Sequence, residues 1–357
     1  MQKSPIISAV SSNSLLGKTA EELKQITGDL GMPKFTADQI SGWLYKKRVS
    51  SIDEMTNLSL AHRNALKANY STGRNQPADS QISADETVKY LFPASNGGFV
   101  ETVYIPDKER ATLCVSSQAG CKMNCLFCMT GKQGFSGQLT AGDMLNQILS
   151  IPESEKLTNV VFMGMGEPLD NKDELFKTLE ILTSGYGFGW SPKRITVSTI
   201  GILPGLKRFL EETQVHLAIS LHSPFPDERL SLMPVEKAWP AVEVLDLIRQ
   251  YDFSHQRRVS FEYICFGGLN DDIRHATALA KLLKDIPCRV NLIKYHALPK
   301  VDLPASRPEA MVTFRDYLNS KGIIATIRSS RGEDILAACG MLRQQHHSSS
   351  SRKNREV

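Results

Sequence analysis

The stretch CVSSQAGCKMNCLFCMTGKQGF, residues 114–135, places Cys121, Cys125 and Cys128 within eight positions at C-x3-C-x2-C spacing. Residues 112–116 just before it read as a strand, so the three thiols sit on a loop at a strand end. Soft thiolates at this spacing can wrap a single iron–sulfur cluster. Three ligands for a four-iron cluster leave one iron open, and that iron can chelate the amino and carboxylate groups of S-adenosylmethionine. Two other readings exist. A structural zinc site normally has four protein ligands, but no fourth cysteine stands at a paired spacing. Three buried thiols would have no reason to cluster. The strand-end position, with Phe127 just before the last cysteine, favours the cluster.

Working outward, apolar strands alternate with helical stretches. Strands are expected at 112–116, 159–163, 194–198, 215–221, 258–265 and 289–295, with one more at 323–328. Helices are expected near 140–150, 171–183, 204–212, 240–251, 272–285 and 308–320. Repeated strand–helix units predict a parallel sheet with right-handed crossovers. Six units predict an α/β fold built on a partial (β/α)6 barrel spanning residues 111–340, whose chemistry sits at the C-terminal strand ends.

Residues 1–78 read as a helical accessory domain, with apolar three- and four-residue steps near 19–26, 37–47 and 58–68. Residues 79–110 read as a small β-extension, with a hairpin turn at Asn96-Gly97. The polar segment 341–357 is expected to be a basic, disordered tail.

Charge divides the same way. Residues 1–75 carry ten Lys/Arg against six Asp/Glu, and the tail after Leu342 four against one, so the middle is slightly acidic although the whole chain is +4. Basic ends suit a polyanion partner, and a solvated surface is the competing reading. Seven cysteines, an odd number with three crowded together, do not form a secreted disulfide framework. No apolar run reaches the length of about 18 residues that spans a membrane, and the N-terminus has no signal-peptide pattern, so a cytoplasmic location is expected.

ETVYIPDKERATLCVSSQAGC, NVVFMGMGEPLDN, ITVSTIG, AISLHSP and RGEDILAACGML together resemble the RlmN/Cfr family of radical S-adenosylmethionine RNA adenosine methyltransferases, over residues 15–342. The closer likeness is to the RlmN branch. That resemblance implies methylation of C2 of one adenosine in 23S ribosomal RNA and of the adenosine 3′ of the anticodon in transfer RNA. Cfr-like methylation at C8 is the alternative, and a non-enzymatic iron–sulfur RNA-binding protein a remote one. It also implies a 4Fe–4S cluster on three cysteines, S-adenosylmethionine, and a low-potential donor such as flavodoxin or ferredoxin. A monomer with no membrane association is expected.

Further site residues follow from the same resemblance. Gly166 and Glu167 would hold S-adenosylmethionine, the glycine by close backbone approach and Glu167 through the amino group. Ser198, Ser220, Leu221 and His222 match cofactor-binding positions. His296 stands where the family usually has asparagine, and it can supply a comparable polar contact. Cys339 matches the thiol that carries the methyl group as S-methylcysteine. Cys114 matches the resolving thiol, which forms a transient disulfide with Cys339, and Glu101 matches a proton acceptor. Read alone, Cys114 and Cys339 would be small buried apolar residues, His222 a buried histidine bonded to backbone, and Glu101 a surface charge. Cys265 and Cys288, within apolar strand patterns, read as structural.

Overall fold

A computed structural model describes residues 13–253 and 259–343. Most of the expected tail, including His346 and His347, lies outside the described residues. The strands are β1 (Asp79–Ile82), β2 (Val88–Pro93), β3 (Phe99–Asp107), β4 (Arg110–Cys114), β5 (Gln118–Gly120), β6 (Phe135–Gln138), β7 (Asn159–Phe162), β8 (Ile195–Thr199), β9 (His216–Ser220), β10 (Val259–Cys265), β11 (Cys288–Lys294) and β12 (Ile324–Arg328). Ten of them form one sheet in the order β1-β2-β3-β4-β7-β8-β9-β10-β11-β12. From β4 to β12 every pairing in that sheet is parallel. This is the predicted βα series, including the additional strand near 323–328. Helices Ala141–Leu149, Lys172–Thr183, Leu203–Glu212, Ala241–Ile248 and Ile273–Leu283 lie between successive parallel strands, and Pro308–Ser320 precedes β12.

The β-extension differs from expectation. It is not a separate appendage, because β1 to β4 pair antiparallel and join the barrel sheet directly. The burial of β3 gives the reason: Val100, Glu101, Thr102, Val103 and Tyr104 are all buried. A strand covered on both faces needs neighbours on both edges, which β2 and β4 supply. The Asn96-Gly97 turn is present, closed by the Ala94 carbonyl, which accepts from the Gly97 amide at 3.0 Å. A second hairpin, β5 with β6, was not foreseen. It brackets the cysteine loop at both ends.

The N-terminal helices form as the spacing predicts. Thr19 caps Ala20–Asp29, with Glu22 returning a bond to the Thr19 amide. Helix Thr36–Ser41 runs on as a wider turn through Lys46, and Leu60–Asn69 follows. The region packs on the barrel. Tyr45, 1% exposed, meets Phe188 and Tyr186. Glu22 pairs with Lys177 at 2.8 Å, and Arg74 donates to the Leu149 carbonyl at 2.6 Å.

After β12 the chain turns back across the molecule. Residues 329–343 run from one end of the sheet to the other. The Gly332 amide donates to Asp85 at 3.0 Å, Asp334 accepts from Ser83 and the Ala84 amide, and the Ile335 carbonyl accepts from Lys89. The two sheet ends are thus bridged by a loop rather than by a strand pair. No helix among the described residues is long and apolar enough to cross a membrane.

Candidate active site

The three-cysteine loop leaves β5 and is held by backbone bonds along its length. The Cys121 amide donates to the Gly134 carbonyl at 2.9 Å, the Leu126 amide to Leu232 at 2.8 Å, and the Cys128 amide to Cys125 at 3.2 Å. Asn124 sits at φ 50, a left-handed turn that asparagine tolerates. Phe127 meets the His222 ring edge-on at 4.7 Å and lies 5.8 Å from Phe266. The loop's apolar residues therefore anchor it and leave its sulfurs to one another. Burial pushes the Cys121 thiol up to about 12 and raises Cys125 as well, the latter helped by Cys128 and Cys121 close by. Burial also raises Cys128, against bonds from Gly131 and Thr130. Three crowded, desolvated thiols favour their charged form only when a cation neutralises them, and soft sulfur donors suit iron. Among the described residues no three His, Cys, Asp or Glu converge closely enough for one metal ion. A multi-iron cluster is wider than one ion. The donor set fits such a cluster.

Around the loop, the GMGEP turn after β7 meets the segment after β4. At Gly164 an added Cβ would stand 2.6 Å from the Ser116 hydroxyl, and at Gly166, with φ 100, 2.5 Å from the Gln118 Cβ. The expected close approach at Gly166 is thus first an approach to the protein's own chain. Gln118 organises this junction: its amide oxygen accepts from the Glu167 amide at 2.8 Å, and its nitrogen donates to Gln138 and Asp170. Asp170 in turn pairs with Lys122 at 2.9 Å.

Glu167 is 4% exposed and accepts from the Thr199 hydroxyl at 2.5 Å and from the Leu169 and Ile200 amides at 3.0 Å. Burial lifts it to about 7 despite these donors. One oxygen, Oε2, has only the Ile200 amide, which leaves acceptor capacity for a ligand ammonium. Ser117 lies beside this junction with its hydroxyl buried and unpartnered. That is a polar atom available to a ligand.

Ser198, Ser220, Leu221 and His222 stand at neighbouring ends of β8 and β9. His222 is buried, with φ 60, and its Nδ1 accepts from the Ile264 amide at 3.0 Å. The backbone-bonded reading of this histidine therefore holds for Nδ1. Nε2 then carries the proton. Burial, with Arg229 nearby, drives the imidazole down to about 3, so the ring is neutral. His296 follows the corresponding end of β11, two strands over from β9, and is bonded to Ser330 at 2.9 Å with Glu333 3.6 Å from Nδ1.

The second group of residues lies on one face of the neighbouring strands. Register sets Lys89 opposite Val103, Glu101 opposite Leu91, and Val103 opposite Cys114. Side chains alternate along a strand, so Lys89, Glu101 and Cys114 project from the same side. Glu101 is 4% exposed, not on the surface. It pairs with Lys89 at 3.1 Å and accepts from the Arg343 amide at 2.9 Å, while burial raises its pKa.

The Cys339 loop docks onto the cysteine loop here. The Met129 amide donates to the Gly340 carbonyl and the Thr130 hydroxyl to the Leu342 carbonyl, both at 2.7 Å. Cys339 is exposed and Cys114 buried. Burial pushes Cys114 up to about 12, with Cys339 near enough to add to the shift and Arg328 to oppose it. Arg328 is itself raised by Cys339 first, and it bonds Glu262 at 3.3 Å. Arg328 is thus within electrostatic reach of both outlying thiols. Cys265 and Cys288 are buried in the strands, as expected for structural thiols.

Sequence reasoning missed the buried cations. Arg229, 1% exposed, ion-pairs with Glu236 and donates to the carbonyls of Leu221, Ser220 and Ile200, tying the ends of β8 and β9 together. Lys89 and Arg328 were also passed over. Their partners, whether a few residues away like Glu236 from Arg229 or sixty-six away like Glu262 from Arg328, meet them only in the fold, and spacing carries no sign of them.

Residues 115–280 match the Radical SAM superfamily, and residues 13–71 match the ribosomal RNA large subunit methyltransferase N-terminal domain. A protein of Parabacteroides distasonis named "Probable dual-specificity RNA methyltransferase RlmN" is 64% identical, across 93% of this chain and 97% of its own. The "Dual-specificity RNA methyltransferase RlmN" of Marinobacter nauticus is 39% identical across 92% of each chain. The crystal structure of a radical SAM methyltransferase from Sphaerobacter thermophilus superposes with a TM-score of 0.87 at 37% identity, covering 93% of this chain and all of that one.

Proposed function

Because the chain belongs to the RlmN family of radical SAM RNA methyltransferases, we propose that it methylates C2 of adenosine in 23S ribosomal RNA and in transfer RNA through a methyl group carried on Cys339. The observation that carries this reading is the meeting of the Cys339 loop, Glu101, Cys114 and the three-cysteine loop at one end of the sheet. Non-enzymatic electron transfer would have no use for the outlying thiols.

Cys121, Cys125 and Cys128 would hold a 4Fe–4S cluster, which with S-adenosylmethionine supplies a 5′-deoxyadenosyl radical. Gly166, Glu167, Ser198, Ser220, Leu221 and His222 line the strand ends where that cofactor would bind. His296 contacts it only if the Ser330 bond yields. Cys339 first takes a methyl group, since adenine C2 is an electron-poor carbon and a weak nucleophile toward a sulfonium methyl. Covalent catalysis divides the step. Hydrogen removal from the S-methyl group leaves a methylene radical that adds to the adenine, and the adduct then gives up its unpaired electron, for which the oxidised cluster would be the acceptor. Glu101, buried and raised, takes the ring proton. Cys114 then attacks the Cys339 sulfur, the carbon–sulfur bond breaks with its electron pair going to the methylene carbon, which takes a proton to become the methyl group, and a disulfide remains for an external reductant. Arg328, beside both sulfurs, favours the thiolate that attacks. The N-terminal helices, with Lys46, Lys47 and Arg48, contact RNA phosphates. Flavodoxin or ferredoxin is the electron source, and the enzyme works as a monomer.

The test separates the two thiols. Cys339→Ala should give neither methyladenosine nor crosslink. Cys114→Ala should trap labelled RNA on Cys339, visible on a denaturing gel. Normal turnover of Cys114→Ala would refute its role. Nucleoside mass spectrometry decides the position, since 8-methyladenosine in place of 2-methyladenosine would mean the Cfr-like reaction.

A further inference from the structure

Lys89 is a buried lysine outside the motifs, and its surroundings are unusual for that residue type. Its side chain is 8% exposed and reaches two partners from one ammonium: Glu101 Oε1 at 3.1 Å and the Ile335 carbonyl at 2.6 Å. Lysine is rarely buried unless paired. Glu101 Oε2 is held by the Arg343 amide at 2.9 Å. Ile335 and Arg343 flank Cys339 by four residues on either side. The Lys89–Glu101 pair therefore grips both arms of the loop that carries Cys339, and it does so from the strand face that also bears Cys114.

We propose that Lys89 is a positioning residue for RNA methylation, fixing the Glu101 carboxylate beside the Cys339 loop and keeping it ionised until it receives the adenine ring proton. The proposal rests on the reading of Glu101 as proton acceptor. The proton passes from the ring carbon to a Glu101 oxygen, and Lys89 takes no part in the transfer. The charged groups facing Glu101 are Lys89 on β2 and Arg343 in the docked segment; the stretch just after β4 contributes the Ser116 hydroxyl, which donates to the Glu101 carbonyl. Burial raises Glu101, and Lys89 is the largest opposing influence. Without the ammonium, burial acts with less opposition and the carboxyl protonates at higher pH. A protonated Glu101 cannot accept the ring proton.

Lys89→Gln keeps a donor for the Ile335 carbonyl and removes the charge, whereas Lys89→Arg keeps the charge. Single-turnover RNA methylation by the reconstituted enzyme is followed against pH, together with the carboxyl infrared band of the same proteins. Lys89→Gln should move the acid limb up by about one unit or more, slowing methylation about tenfold at a pH below that limb. The infrared titration should shift alongside, and Lys89→Arg should restore both. An unmoved limb in a folded Lys89→Gln enzyme, with Glu101→Gln inactive, overturns the role of Lys89 and leaves Glu101 as acceptor. Full activity of Glu101→Gln overturns the acceptor reading itself, and with it the proposal. Because the infrared titration needs no turnover, a variant that folds but fails to methylate still decides the matter.

Discussion

The loop with Cys121, Cys125 and Cys128 and the loop with Cys339 end up bonded to each other, yet they are held by different means. The first is embedded locally. Its bracketing hairpin, the Phe127 anchor and the left-handed turn at Asn124 all lie within residues 118–138, and His222 meets Phe127 from the strand ends that Arg229 ties together. The second has a few turns of its own, such as the one closed by the Ala337 amide on the Gly332 carbonyl, but no helix or strand. It is fastened by Ser83, Asp85, Lys89, Glu101, Met129 and Thr130, none closer than about two hundred residues in sequence. In the proposed reaction a cluster must stay in a fixed cage, whereas a carrier thiol has to serve a methyl donor, a radical and an RNA base in turn. Borrowed fastenings suit the second task.

Breaking the embedded loop should have the largest effect. Cys125→Ala should abolish iron binding and all radical chemistry, as shown by iron analysis and loss of reductive cleavage of S-adenosylmethionine. Zinc in the active enzyme with no iron requirement would contradict the cage. Next come the strand ends beside it. Arg229→Met leaves Glu236 buried without its cation and should cost about 3–5 kcal/mol in denaturant unfolding. A loss below about 1 kcal/mol would mean the strand ends do not depend on that guanidinium.

His222 gives a smaller effect with a definite sign. Its folded pKa lies below the unfolded value near 6.5. The unfolded chain therefore binds a proton that the folded one refuses as pH falls. The stabilisation from a neutral His222 is complete above about pH 6.5. It declines on acidification, by about 2 kcal/mol at pH 5. Replacement by Asn should flatten stability between those two pH values, and an unchanged slope would count against the buried neutral ring.

The smallest effect sharpens the other side of the comparison. Asp334→Ala removes the bonds to Ser83 and the Ala84 amide. It should speed hydrogen exchange across 332–343 while the melting temperature barely moves. Exchange spreading to the cysteine loop would show that the two regions are one unit after all.

Legibility in the sequence followed the same division. The three-cysteine spacing and the βα alternation are short-range signals, and both led to the right architecture. Cys339, Cys114 and Glu101 had no such signal; read alone, Glu101 would be a surface charge, yet it is buried. Only resemblance picked them out, because their meaning lies in partners distant along the chain. The joining of the β-extension to the barrel was missed for a related reason: pairing of β3 with β4 depends on burial of both faces of β3, and period-two patterning does not reveal which faces are covered. Lys89 and Arg229 were invisible because a lone cation in a sequence is by default a surface residue.

The open seam between β1 and β12 has a consequence for how the protein is made. Chains leave the ribosome N-terminus first, so residues 329–343, which bridge that seam, are among the last of the described residues to emerge. Their docking partners are complete well before. On the proposed reading, the cage for iron is therefore translated long before the carrier thiol arrives, and a chain halted near residue 328 would own the apparatus for making radicals and nothing to receive them.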